Sequence, residues 1–324
     1  MSVVPRALAC GGGTAAVLSL LFVAAAQATS YEAKTGDGLV GRPYTVVARK
    51  EDTLPDIARS HGLGFDEIQL ANADVDAWLP GEGRRIFLPL HHILPAAERR
   101  GIVLNIPEMR LYYYPAALRR GGRLRVITYP VGVGREGWTI PYARTRINLK
   151  AENPSWTPPE SIRAEHALLG DPLPRVVPPG PDNPLGAHAL RLALPGYLIH
   201  GTNKPLGIGM RVSHGCIRMY PEDIDEMFPL TPVGTPVNIV NQPVKAGLQG
   251  RLLYLEVHPP LVEDRLSAHA LNQEAVRQIL ALLQGRDSRI DWQLIEKVVR
   301  ASSGIPVAVG AIRSAEESAD AAGT

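Results

Sequence analysis

The chain has 324 residues, 45% of them hydrophobic, and a formal net charge of +2 from 34 basic and 32 acidic side chains. That length supports a sizeable core and two or three compact units, while the near-even charge balance, with no basic run interleaved with aromatics, excludes a nucleic-acid partner. Glycine and proline are abundant, at 31 and 29 residues, which favours short strands and structured loops over long helices.

At the N-terminus Arg6 precedes an apolar run from Ala15 to Ala26, and Ala26-Gln27-Ala28 is a small-x-small pattern suited to signal peptidase. The run is too short to span a bilayer as a helix, so residues 1–28 read as a signal peptide cleaved after Ala28. A retained anchor is the alternative. Cys10 lies ahead of the apolar run, which argues against a lipid-modified cysteine at the cleavage site. Removing the segment, whose only charged side chain is Arg6, takes the formal charge from +2 to +1. It also leaves Cys216 as the single cysteine of an exported chain, in a compartment where thiols tend to pair. An unpaired thiol there is a liability unless it is used.

From Pro43 to Pro89 the pattern predicts strand, helix, helix, strand. Tyr44 and Val46 alternate as in a strand, Ile57-Ala58 and Ile68 with Ala71 suit two short helices, and Arg85 to Leu88 reads as the returning strand. Asp52 or Thr53 can cap the first helix and Gly62 can end it. With its Asp52-Thr53-Leu54 turn, its Ile57-Ala58 pair, Ala71-Asn72, and Pro80-Gly81 before the last strand, the 43–90 segment resembles a LysM domain. Such domains bind N-acetylglucosamine-containing glycans, so the resemblance implies peptidoglycan glycan strands as a partner. The alternative is a small packing domain without glycan binding.

His91 to Arg100 reads as a linker. In a strand the adjacent His91 and His92 would face opposite ways, so they are taken as linker residues and not as metal ligands. Gly101 to Ile106 and Arg110 to Pro115, around Pro107-Glu108-Met109, predict a β-hairpin. Strand-like runs follow from Leu124, Arg144, Gly196, Pro236 and Arg251, which predicts a mainly β unit, sandwich-like or barrel-like. Between Asn153 and Leu185 the prolines are too dense for regular structure, leaving a disordered insertion or a rigid wall beside a site. After Val262, Leu271, Val276, Ile279, Leu280 and Leu283, then Ile290, Leu294, Ile295 and Val298, recur at helical spacing. Residues 242–324 are therefore expected to be a partly helical extension that packs its helices on the catalytic unit, with a frayed tail from Ser314.

The chemistry concentrates between Leu198 and Met219, in LIHGTNKPLGIGMRVSHGCIRM. A cysteine reacts as its thiolate, so a neighbouring group must take its proton. His200, at the end of an apolar strand-like run, is the expected base, and the glycines and proline that follow can fold a loop back to Cys216. His214 is the weaker candidate because its position depends on the turn. Gly215 permits a backbone turn, and the N–H groups of His214, Gly215 and Cys216 are a candidate oxyanion site. Pro221 reads as the first residue of a short helix carrying Glu222 and Asp223 in its first turn, its N-terminus turned toward the cysteine loop.

His200-Gly201-Thr202 followed by Ser213-His214-Gly215-Cys216-Ile217-Arg218 resembles the active-site signature of the L,D-transpeptidase (YkuD-type) catalytic domain, and the resemblance extends over 99–241. The Asn153 to Pro159 segment is also similar to that family's. The resemblance implies Cys216 as nucleophile and His200 as proton acceptor, its ring oriented by the Gly201 carbonyl. It implies Ser213 and His214 as pocket-shaping residues and the His214–Cys216 backbone as oxyanion hole. Many members have asparagine where this chain has Arg218, which makes it more similar to the branch that couples LysM to this domain in Gram-negative envelopes. Arg218 is a fixed cation suited to a carboxylate of the donor peptide.

The implied reaction is periplasmic acyl transfer on peptidoglycan stem peptides, with no cofactor and no metal. A tetrapeptide stem is acylated at its third residue with loss of D-alanine and passed to an amine, from a second stem or from a lysine of an outer-membrane lipoprotein. A zinc site of His200, His214 and Cys216 is the metal alternative, which Arg218 opposes. The functional alternatives are a hydrolase or carboxypeptidase with the same Cys–His site, and a non-catalytic wall-binding protein.

Overall fold

A computed structural model describes residues 29–34, 36–115, 123–138 and 140–314. The expected signal peptide and the tail beyond Ser314 lie outside the described residues.

The described residues begin with strand β1 (Thr29–Lys34), then β2 (Leu39–Gly41) and β3 (Tyr44–Val47), helices α1 (Leu54–Ser60) and α2 (Phe65–Ala71), β4 (Arg85–Leu88) and β5 (His91–Ile93). The two helices and the antiparallel β3–β4 pair enclose a small core built on Leu54, Leu63, Ile68, Ile86 and Leu88. Local chemistry sets the helix ends. Thr53 caps α1 by accepting from the Asp56 N–H at 3.2 Å while the Asp56 carboxylate accepts from the Thr53 N–H, a reciprocal capping box. Gly62, at φ +66°, turns the chain out of the helix. Asn72 is buried and bonds the backbone of Ile68 and Phe87, tying α2 to β4.

His91 and His92 correct the linker expectation. Both are buried in β5, which pairs antiparallel with β2; the His91 ring packs on Tyr254 and the His92 ring on Tyr31 and Tyr112. Strand alternation sends each ring into a different packed face.

The middle unit comprises β6 (Gly101–Asn105), β7 (Arg110–Tyr114), β8 (Arg123–Pro130), β9 (Val133–Gly134), β10 (Arg144–Glu152), α3 (Glu160–Leu168), β11 (His188–Leu192), β12 (Leu198–His200), β13 (Arg211–Ser213), β14 (Ile217–Arg218), α4 (Pro221–Leu230) and β15 (Pro236–Val240). Its sheet has nine strands in the order β1-β8-β7-β6-β15-β10-β11-β12-β14. An antiparallel bridge, Gly132 N–H to Arg218 carbonyl at 2.8 Å and the reverse at 2.9 Å, returns β14 to the chain leaving β8, so the sheet curls toward closure. β6 is buried on both faces: Ile102 and Leu104 join the main core, while Val103 joins a second core with Tyr112 and Tyr114. A strand covered on both sides reads as an unbroken apolar run, as Ile102 to Leu104 does.

Two expectations for the rest of the chain fail. The proline-dense segment holds helix α3, because Pro158 and Pro159 stand at its start and Pro172 beyond its end, where proline does no harm. The helices after Val262 pack on a sheet other than the nine-stranded one. They are α5 (Ala268–Leu283) and α6 (Trp292–Ala301), and they cover a separate four-stranded sheet, β16-β17-β19-β18, of β16 (Val244–Gln249), β17 (Leu252–Val257), β18 (Ser288–Ile290) and β19 (Val307–Ile312). The buried stripe of α5 is Leu271, Ala275, Ile279 and Leu283, whereas Leu280 is 55% exposed. Ile290 belongs to β18, not to a helix.

A buried ionic network joins the units. Lys245 of β16 lies 2.8 Å from Glu108 and 2.7 Å from Glu256, and donates to the Ile93 carbonyl at 2.8 Å. Glu256 also accepts from the Ile93 N–H and lies 2.6 Å from His258. Glu108, Glu256 and His258 bring donor atoms within 4.8 Å of one another, but the Lys245 ammonium sits against both carboxylates, in the place a metal cation would take.

Candidate active site

Parallel pairing of β12 with β14, in the register Ile199 to Ile217 and His200 to Arg218, brings the two halves of the signature together. The loop between them returns through β13, which pairs with β9, so His200 and Cys216 line one cleft of about 1210 Å³. Ser213, His214 and Arg218 line it too, facing Trp156, Pro159 and Ile162 of the proline-rich segment. That segment is a wall, held by buried Asn183, whose side-chain amide donates to the Pro154 carbonyl at 2.7 Å and accepts from the Leu185 N–H at 2.9 Å.

His200 is buried, and its Nδ1 lies 2.6 Å from the Gly201 carbonyl. A carbonyl only accepts, so Nδ1 carries the proton and Nε2 of the neutral ring presents a lone pair. Burial, followed by the Arg218 charge, pushes the His200 pKa down to about 4, against backbone hydrogen bonds to Gly201 and Leu185. The half-buried Cys216 thiol contacts the Gly196 carbonyl at 3.7 Å. Burial pushes its pKa up, against a Leu198 backbone hydrogen bond and the Arg218 charge. At neutral pH both groups are therefore uncharged, a neutral thiol and a neutral imidazole on one cleft.

The turn before Cys216 is closed by Ser213. Its hydroxyl donates to the Cys216 carbonyl at 2.6 Å and accepts from the Gly215 N–H at 3.1 Å. The Gly215 N–H, one of the three expected oxyanion donors, is thus already committed to Ser213. Gly215 has φ +101°, and a Cβ there would lie 3.2 Å from the Tyr197 ring and 3.3 Å from the Trp138 carbonyl. Only glycine meets both demands. Ser213→Ala is expected to retain the fold while acylation falls about 10–100-fold, since two hydrogen bonds that position the nucleophile are lost. Thermal melting alongside acylation kinetics checks this; unchanged kinetics would show that the turn holds without the hydroxyl.

His214 does not face Cys216 as a second base. Its Nε2 lies 3.1 Å from Glu165 of α3 and 3.2 Å from Arg135, and the Trp138 ring meets it edge-on at 4.9 Å. Arg135 in turn donates to both Glu165 oxygens at 2.8 and 2.6 Å. His214 thereby fastens the wall helix to the cysteine loop. Burial, then Arg135, holds its pKa below the usual histidine value, with Glu165 opposing. Arg218 is half-buried on the cleft wall, and no carboxylate among the described residues pairs with it. Arg191 and Lys204 line the same cleft. The first turn of α4 is engaged elsewhere: Glu222 accepts from Arg59 of α1 at 2.7 and 2.8 Å.

Arg135, Trp138, Glu165 and Tyr197 were not foreseen. Arg135 and Glu165 stand 79 and 49 positions from His214, and no local pattern marks residues brought together only by folding.

A family model for the L,D-transpeptidase catalytic domain matches residues 99–239. The chain is similar to Probable L,D-transpeptidase YcfS of Escherichia coli (strain K12), 41% identical over 288 residues that cover 85% of this chain and 86% of that protein. It is also similar to Probable L,D-transpeptidase YbiS of the same strain, 37% identical with 88% and 94% covered, and to Probable L,D-transpeptidase ErfK/SrfK of Salmonella typhimurium, 38% identical with 86% and 90% covered. With likeness at this level across nearly the whole chain, and a histidine and a cysteine facing one cleft, the protein belongs to the L,D-transpeptidase family.

Proposed function

We propose that this enzyme acts in the periplasm, following removal of residues 1–28, and transfers the acyl group of a tetrapeptide stem through Cys216. The observation that carries this reading is His200: with Nδ1–H tied to the Gly201 carbonyl, its Nε2 is left as the proton acceptor of a cleft that also holds the one described cysteine. In acylation the Cys216 sulfur bonds to the carbonyl carbon of the third stem residue as its proton passes to His200. The peptide C–N bond then breaks, His200 returns the proton to the departing amine, and D-alanine leaves. In the second half an amine attacks the thioester, gives a proton to His200 and releases the thiol. One amide is exchanged for another, so no external energy source is needed.

Arg218 would hold a donor carboxylate, and the 153–185 wall would exclude water and favour transfer over hydrolysis. The acceptor amine comes from a second stem or from a lipoprotein lysine. The strand–helix–helix–strand unit, read as LysM, would hold the glycan strand. No helix among the described residues is long and apolar enough to cross a membrane.

Mass spectrometry of products from tetrapeptide muropeptides, with the purified enzyme and its Cys216→Ala variant, tests the reading. A dimer that has lost one D-alanine per link, absent with the variant, is the expected result. Tripeptides alone would mean that water or a missing lipoprotein lysine is the acceptor. No product and no Cys216 adduct would overturn the assignment.

A further inference from the structure

Three of the chain's four tryptophans, Trp78, Trp138 and Trp156, line the catalytic cleft. Trp138 packs on His214, and Trp156 belongs to the wall, where its backbone pairs with Val177 at 2.9 and 2.8 Å. Trp78 comes from the other unit, the α2–β4 connection, and is 56% exposed. Its backbone is held by Asp76, whose carboxylate accepts from the Trp78 and Leu79 N–H groups at 2.8 and 2.9 Å. Its ring lies 6.3 Å from that of Phe65, tilted by 31°.

The unit that carries Trp78 is docked on the loop that links the two catalytic residues. The Phe65 N–H donates to the Ile208 carbonyl at 3.0 Å and the Asp66 N–H to the Gly209 carbonyl at 3.1 Å. Gly64 and Gly209 are in backbone contact: a Cβ on Gly209 would stand 2.3 Å from the Gly64 Cα. Arg59 with Glu222, and the Tyr220 hydroxyl donating to the Leu63 carbonyl at 3.2 Å, complete the junction. Leu206, 56% exposed, and Lys204 line the cleft from the same loop.

We propose that Trp78 is a specificity-determining residue of the transfer site: its exposed face holds a sugar ring of the same molecule whose stem peptide is attacked by Cys216. This rests on the acyl-transfer reading above. An aromatic face with a polar rim suits the C–H face and hydroxyls of a pyranose. A cleft of about 1210 Å³ exceeds the roughly 300–1,000 Å³ of small-molecule sites, which leaves room for more than a lone peptide end. The small unit then acts as one wall of the catalytic cleft, with the sugar and the scissile bond presented together.

The test compares D-alanine release from a disaccharide-tetrapeptide and from the free tetrapeptide, using the wild-type enzyme and its Trp78→Ala, Trp78→Phe and Leu79→Ala variants. Trp78→Ala should raise KM for the disaccharide-tetrapeptide about tenfold, leaving kcat and the free peptide unchanged. Trp78→Phe should restore part of the difference, and Leu79→Ala, at an exposed neighbour outside the cleft lining, should match wild type. Equal losses on both substrates, no loss on either, or a loss seen only when an acceptor amine is added would each overturn the proposal. If the wild-type enzyme releases no D-alanine from either substrate, the reaction assignment fails. Calorimetric binding of the disaccharide-tetrapeptide to Cys216→Ala, with and without Trp78→Ala, then decides the sugar site by itself: weaker binding without the indole supports it, and equal binding overturns it.

Discussion

Replacing His200 with glutamine is expected to slow acylation of Cys216 by about 10²–10⁴-fold near neutral pH, the usual share of a positioned general base. The change in pH dependence is more diagnostic than the loss. In the wild-type enzyme burial and the Arg218 charge press the His200 pKa down to about 4, so its ring is unprotonated throughout the physiological range. Acylation should stay level from neutral pH to about pH 5 and fall below that as the ring takes a proton. Without the base, the reaction draws on pre-formed thiolate. Because burial raises the Cys216 pKa, the variant's rate should climb about tenfold per pH unit across the neutral range. Acylation rates from rapid-quench mass spectrometry between pH 4 and 9 separate the two regimes. A wild-type rate that also rises tenfold per unit would refute the neutral-pair mechanism.

The same pKa has a sign for stability. The folded value lies below the unfolded value of about 6.5, so as pH falls the unfolded chain takes up the proton first. The contribution of His200 is therefore least unfavourable above about pH 6.5. It grows more destabilising as pH falls toward about 4, below which it changes no further.

Lys245→Met is expected to cause the largest loss of stability, about 3–5 kcal/mol, because it leaves the carboxylates of Glu108 and Glu256 buried without their shared cation. For a protein of this size that is roughly 10 °C in melting temperature. The pH dependence again has a definite sign. Burial alone would raise the Glu256 pKa, but Lys245 and His258 outweigh it and hold it below the usual carboxylate value. In the wild-type protein this favours folding above the unfolded carboxylate pKa and is lost as pH falls through the folded one. In the variant burial regains the upper hand, the Glu256 carboxyl takes up a proton more readily, and its penalty is relieved by acid. The difference in melting temperature should therefore be larger at pH 7 than at pH 5, and Lys245→Met/Glu256→Gln should recover part of it. Equal differences at both pH values would mean that lost packing of the lysine stem dominates. The network ties β5, the turn after β6, β16 and β17 together away from the cleft, so the folded variant should keep its acylation rate at low temperature.

Much of this molecule was legible along the chain because short-range rules decide it. Thr53 ahead of Leu54, Gly62 after the helix, and the alternation around Tyr44 and Arg85 mark one small unit whose core is mostly local. The runs at Gly101, Arg110, Leu124, Arg144 and Pro236 all lie in strands, since each carries its own apolar pattern. The candidate nucleophile and base were recognisable because one short stretch, Leu198 to Met219, bears both. Where the reading failed, proximity in sequence was a poor guide. The prolines of the 153–185 segment flank α3 without entering it, and the buried stripe of α5 runs through Ala275 where the spacing of larger apolar residues points to Val276 and Leu280.

Sequence by itself determined the family signature, the residue types of the site and most of the elements, because these depend on neighbours three or four positions away. Tertiary structure decided the protonation geometry of His200, the capture of the Gly215 N–H by Ser213, the fastening of His214 to Glu165 and Arg135, and the entry of Trp78 into the cleft. It also decided that Lys245 fills the space between two carboxylates that resemble a metal site. The reason is physical. Burial and charge act through space, so a group's pKa and partners are set by what the fold packs around it, and those residues lie tens of positions away along the chain.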